Sequence, residues 1–205
     1  MSAVAESITV PLPTLAERRE DIAAALDALP TEAQVNWIRG LSGRQLGALY
    51  ALSQGSTLKA SEFVRADGQV TICEGKNGLP LFTNFQKRFA RLGDQIVGYN
   101  HNPAFQTFFV GPGHFVFEDS PDVPGETWVN YCKVPEARHP EFPELVPNEN
   151  LFTLPAPFAR WTYGDMIDIV RRVSRQVVIG FSVKPSGNWG PNAGQYFALV
   201  LPQAQ

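Results

Sequence analysis

The chain has three histidines, His101, His114 and His139, and an unperturbed imidazole suits proton transfer because it titrates near neutral pH. His101 stands in Gly98-Tyr99-Asn100-His101-Asn102-Pro103 at the end of an expected strand, where it can serve as a general base. The same Asn-His-Asn-Pro run is also ordinary turn chemistry, with Asn100 and Asn102 accepting from nearby backbone amides. His114 follows Gly111-Pro112-Gly113 and shares a strand face with Val116 and Glu118, and its plain alternative is a buried, hydrogen-bonded ring. His139, beside Arg138, reads as exposed. In Thr127-Trp128-Val129-Asn130-Tyr131-Cys132-Lys133-Val134, alternation places Trp128, Asn130 and Cys132 on one side and Thr127, Val129, Tyr131 and Lys133 on the other. Asn130 or Tyr131 can then orient a ligand oxygen. Lys133, otherwise a solvated strand-end lysine, can bind a carboxylate or form an imine. Glu118 and Asp119 point to opposite faces of a strand and so do not form a catalytic pair. Arg171 and Arg172 pair with Asp168 at helical spacing; on a strand one of them can face the interior and mark an anionic ligand group. The catalytic candidates are His101, His114, Tyr131 and Asp168. Tyr99, Phe109, Phe117, Trp128, Asn130, Arg171 and Phe181 are the ligand-binding candidates.

Several chemistries find no footing. The spacings contain no H-x-H, H-x-x-x-H, C-x-x-C or H-E-x-x-H, so no metal site is expected. G-x-G-x-x-G, G-x-x-x-x-G-K and G-x-S-x-G are also missing, which removes support for a dinucleotide fold, a P-loop and a nucleophile elbow. The expectation is chemistry without a cofactor. A net charge of −3 with no block of like charge argues against nucleic acid as a partner. Apolar runs are too short for a membrane span, and the N-terminus lacks the basic and apolar regions of a secretory signal. Cys73 and Cys132 have no metal or redox spacing and suit a reducing cytosol. A cytoplasmic location follows as an expectation.

The elements that position these residues divide the chain of 205 residues into a helical first third, 1–65, and a strand-rich remainder, 66–205, within one expected domain. Three hydroxyls followed by Glu or Gln at the third position, Thr14/Glu17, Thr31/Gln34 and Ser42/Gln45, have the form of capping boxes opening helices. From about residue 69, β-branched and aromatic residues between Gly, Pro and Asn predict strands over 69–73, 95–101, 107–119, 127–134, 175–183 and 195–201. A short helix, NFQKRFARL, is expected before the second of these. The segment 165–173 fits a helix or a strand equally well. Residues 135–160, rich in proline yet carrying Phe142, Leu145, Leu151, Phe152 and Phe158, read as an ordered loop: either a lid or a strap closing a barrel end.

Strands such as 107–110 and 177–181 are apolar on both faces, so each needs cover on both sides. Helices packed outside a small antiparallel barrel, or a strongly curled sheet, meet that need, giving an α+β fold. The tail WTYGDMIDIVRRVSRQVVIGFSVKPSGNWGPNAGQYFALVL carries Tyr163, Asp168, Arg171, Gly180 and a closing strand Gln195 to Leu201. In this it resembles the terminal strands of lipocalin-like domains, over about a fifth of the chain; the resemblance implies a small β-barrel and carries over neither ligand nor activity. An aromatic-walled barrel of about eight strands can hold one ligand. The expected function is binding of a mainly apolar small molecule, with cofactor-free isomerisation, cyclisation or dehydration as the associated chemistry. A non-catalytic carrier and an assembly protein with a solid barrel are the alternatives, and a homodimer is left open.

Overall fold

A computed structural model describes residues 13–64, 68–78, 83–186 and 194–202. The N-terminal stretch 1–12, on which the reading of a missing secretory signal falls, and most of the polar hairpin at 187–193 lie outside the described residues. Eight strands form a closed antiparallel barrel in chain order: β1 (Val70–Asn77), β2 (Asn84–Leu92), β3 (Gln95–His101), β4 (Phe115–Asp119), β5 (Thr127–Asn130), β6 (Ile167–Arg172), β7 (Val177–Val183) and β8 (Tyr196–Val200). Closure comes from β8 pairing back onto β1, with Glu74 opposite Val200 and Asn77 opposite Phe197. The α+β architecture expected from two-sided apolar strands is therefore present.

Three helices, α1 (Arg19–Asp27), α2 (Thr31–Gly40) and α3 (Gly43–Leu52), precede the barrel and cover its outside. Their apolar stripe of Ile22, Leu26, Ile38, Leu46 and Leu49 packs on the outward residues of β7 and β8, Val177, Ile179, Ala198 and Val200. This is why those strands are apolar on both faces. Of the three expected capping boxes, Ser42 and Gln45 form theirs at the start of α3. Thr14 and Glu17 bond to each other, but the helix starts later, at Arg19. Thr31 is the first helical residue of α2 after Pro30, and its hydroxyl accepts from Gln176 instead of capping.

Two expected elements take the other form. NFQKRFARL is not a helix but strand β2, paired over seven positions with β1 and seven with β3. Such two-sided ladder pairing overrides a local pattern that Phe85, Phe89 and Leu92 make look helical. Conversely, the first part of the expected strand 107–119 belongs to helix α5 (Ala104–Val110), and Gly111, at φ 79°, ends it before β4 begins at Phe115. The expected strand 127–134 stops at Asn130, and 165–173 resolves as strand β6.

The barrel interior is filled at one end only. A short helix, α4 (Ala60–Phe63), inserts Phe63 against Phe89 and Phe117, and its first amide is held by the Asp119 carboxylate at 2.8 Å. The 135–160 segment lies over the outside of β2 and β3, where Phe142 packs on Tyr99, Val97 and Ala90. It then crosses to α5, to which Ala156 and Phe158 donate backbone bonds, and ends in α6 (Ala159–Thr162).

Candidate functional site

The other end of the barrel holds a cavity of about 430 Å³. Its walls are Phe85, Phe105, Phe109, Val110, Trp161, Met166 and Phe197, and its inner end is made by Lys87, Asn100, Tyr131, Tyr163, Asp168 and Ser182. Phe105 and Trp161, both exposed, mark its opening between α5 and α6.

Alternation along the strands explains how the polar groups converge. Lys87 lies two residues from Phe85 and Phe89 and so shares their inward face. Asn100 on β3 and Ser182 on β7 point inward from the neighbouring walls, and Asp168 on β6 lies opposite Ser182 in the ladder. Tyr131 follows β5, where its amide donates to the Met166 carbonyl. The Lys87 ammonium, 2 % exposed, reaches Asn100 Oδ1 and Asp168 Oδ2, each at 3.0 Å, and also contacts the Tyr131 hydroxyl. Ser182 donates to the other carboxylate oxygen, Asp168 Oδ1, at 2.6 Å. Asn100 Nδ2 donates to the Tyr131 oxygen at 3.0 Å, and Tyr163 stacks on the Tyr131 ring at 5.4 Å. Phe115, Tyr131 and Phe197 present their rings to the ammonium at 4.9 to 5.1 Å.

A buried lysine is tolerated when a carboxylate and further acceptors replace its water. Burial pushes the Lys87 amine below its ordinary pKa, and the Asp168 carboxylate pushes back without cancelling the effect. Burial raises both phenols, Tyr131 well above its usual value and Tyr163 up to about 12. Both tyrosines therefore keep their protons at neutral pH and remain donors. The inner end thus offers hydroxyl donors, a carboxylate and an amine within one hydrogen-bonded cluster, beneath an apolar wall.

Of the residues singled out in the sequence, Tyr131, Asp168 and Phe109 line this cavity. His101 and His114 do not. His101 is exposed at the end of β3, with Nδ1 3.2 Å from the Tyr99 hydroxyl. His114 is buried, and its Nε2 lies 3.0 Å from the Glu144 carbonyl, tying the 135–160 segment to β4. Its pKa is lowered mainly by burial. Tyr99 faces outward beneath Phe142, whereas Phe117 is in the filled end of the barrel. Trp128 and Asn130 lie on the outer face of β5, and their side chains donate to Glu126 and Glu118. Arg171 points away from the interior and covers the Tyr50 ring at 3.9 Å, so it marks no anionic group in the cavity. Phe181 joins the same outer cluster with Tyr50 and Tyr196. Lys133 is exposed and paired with Glu118 at 2.7 Å.

Lys87, Asn100, Tyr163 and Ser182 were not among the sequence candidates. Lys87 was hidden by the helical reading of its segment; the usable signal is Phe-x-Lys-x-Phe at strand period, a charge set between two core positions. Ser182 likewise interrupts the apolar run of β7. Among the described residues, no three of His, Cys, Asp and Glu gather as a metal would need, and no helix is long and apolar enough to cross a membrane. No family model, curated protein or solved structure matches this chain.

Proposed function

We propose that the protein binds one mainly apolar small molecule in the open half of the barrel and carries out cofactor-free proton transfer on it. The observation that supports this is the position of the Lys87, Tyr131 and Asp168 cluster at the inner end of an apolar cavity that opens to solvent. A volume of about 430 Å³ lies within the range of sites for small organic molecules. A ligand oxygen placed at the inner end would meet Tyr131 or Tyr163 as the hydrogen-bond donor to any developing oxyanion, with Asp168, paired to Lys87, as proton acceptor. Those are the requirements of isomerisation, cyclisation or dehydration at a carbon next to a carbonyl. The carrier reading keeps the same pocket without turnover, and one observation favours it: the polar groups already bond to one another. Closed eight-strand order agrees with a lipocalin-like domain, and two free thiols suit a reducing, cytoplasmic setting.

The test is mass spectrometry of what co-purifies with the protein, followed by incubation of that compound with wild type and Tyr131→Phe. Conversion by wild type and loss of at least tenfold in rate in the variant support catalysis. Retention of the compound unchanged by both proteins leaves only the carrier.

A further inference from the structure

We infer that the cavity selects an uncharged, oxygen-bearing ligand such as an alcohol, ketone or lactone over a carboxylate, because Asp168 already cancels the charge of Lys87 at its inner end. This rests on the small-molecule reading above and narrows its ligand class.

Lys87 and Asp168 are the lysine and the carboxylate that line the cavity, and they are 3.0 Å apart. Whether the proton sits on the amine or on the carboxyl, their sum is zero. The other titratable groups facing Asp168 add no charge: Tyr131 from the end of β5 and Tyr163 from the end of α6 are held protonated by burial, as is Cys73 of β1, which lies beyond Lys87. Of the arginines on the same strands, Arg88 and Arg171 turn outward, onto Gln86 and Tyr50, and Arg91 and Arg172 bond to Ser61, Thr57 and Glu62 beside α4, at the filled end of the barrel. A carboxylate pushed to the inner end would therefore arrive beside Asp168 with no uncommitted cation, and an unpaired charge out of water is disfavoured. An uncharged oxygen avoids that penalty. Tyr163, whose hydroxyl accepts from Asn102 at 3.2 Å, has its own O–H to give to such an oxygen. The cation is thus built into the fold to hold Asp168, and it is not displayed to an anionic ligand.

The experiment is displacement of an environment-sensitive apolar dye by three probes of equal chain length, 1-decanol, decanoate and decylammonium, from the full-length protein at pH 8. Decanol is expected to compete at least tenfold better than either ion. Lowering the pH from 8 to 6 should improve decanoate by about tenfold per unit, as its neutral form becomes more abundant, and leave decanol unchanged. In Asp168→Asn, which vacates the counter-ion position beside Lys87 for the carboxylate of the probe, decanoate should gain at least tenfold on decanol. The wild-type series stands without that variant should it fail to fold. Decanoate competing as well as decanol at pH 8 overturns the inference and leaves the pocket intact. If no probe displaces a dye shown to bind, the small-molecule reading falls with it.

Discussion

Among individual residues, Lys87 carries the most consequence, because three polar partners and four aromatic faces surround a single ammonium from which water is excluded. Lys87→Met leaves Asp168 buried without its counter-charge and should cost about 3–5 kcal/mol in denaturant unfolding. Adding Asp168→Leu should recover most of that loss, since a buried pair replaced by apolar groups of similar size is often close to neutral. If the double variant is no better than the single one, the pair is not the source of the cost. Tyr163 gives a pH signature. Its pKa is raised from 10.0 to about 12 in the fold, so between those values the unfolded chain loses the phenolic proton first and stability falls as pH rises. That contribution is fully present below pH 10 and is lost toward pH 12, amounting to roughly 3 kcal/mol. Lys87 acts in the opposite sense below its ordinary pKa of 10.5, so the comparison has to be between wild type and Tyr163→Phe. Unfolding measured at pH 9 and pH 11.5 should show a shallower alkaline loss in the variant.

Among the elements, β7 and β8 fix how wide the cavity is. Gly180 on β7 faces Phe197 on β8, and a Cβ there would fall 2.1 Å from the Phe197 ring. That ring is both a wall of the cavity and a face for the Lys87 ammonium, at 5.1 Å. Gly180→Ala must therefore drive Phe197 inward, and it should destabilise by about 1–3 kcal/mol while weakening dye binding several-fold. Thermal unfolding and a dye titration on the same sample check the two effects together; unchanged affinity would mean that Phe197 does not border the occupied space. Helix α5 and the 135–160 segment are coupled by backbone bonds from Ala156 and Phe158 to Phe108 and Phe109, so the rim of the opening is one structural unit made from two distant stretches of chain. Pro103 ahead of the helix and Gly111 after it bound a seven-residue element that strand propensity alone would extend.

Across the whole molecule, the barrel is divided into a filled end and an open end, and the difference lies in what enters from outside. Phe63 of α4 fills one end, whereas α5 and α6 only border the other and leave Phe105 and Trp161 exposed at the opening. Occupation of the cavity should therefore desolvate the Trp161 indole and move its fluorescence to shorter wavelength, a change that Trp161→Phe removes while the dye still binds. A shift that persists in the variant would place the ligand near another tryptophan. Much of the fold was legible in the sequence: the two apolar faces of 177–181 required both a core and an outer cover, and the stripe of Ile22 and Leu26 offered that cover, whereas 107–110, read as a strand of the same kind, belongs to helix α5. The Ser42 capping box was equally local and equally readable. The candidate site was legible only in part, through Tyr131, Asp168 and Phe109. His101 and His114 have the right chemistry, but their place depends on which strand face they occupy and on what the 135–160 segment covers. Composition and period determined that this chain needs a covered, two-sided β-structure, because burial of apolar area is a property of each segment. Which polar groups meet inside was decided by barrel closure alone, since Lys87, Asn100, Tyr131, Asp168 and Ser182 come from five different parts of the wall and share no local pattern.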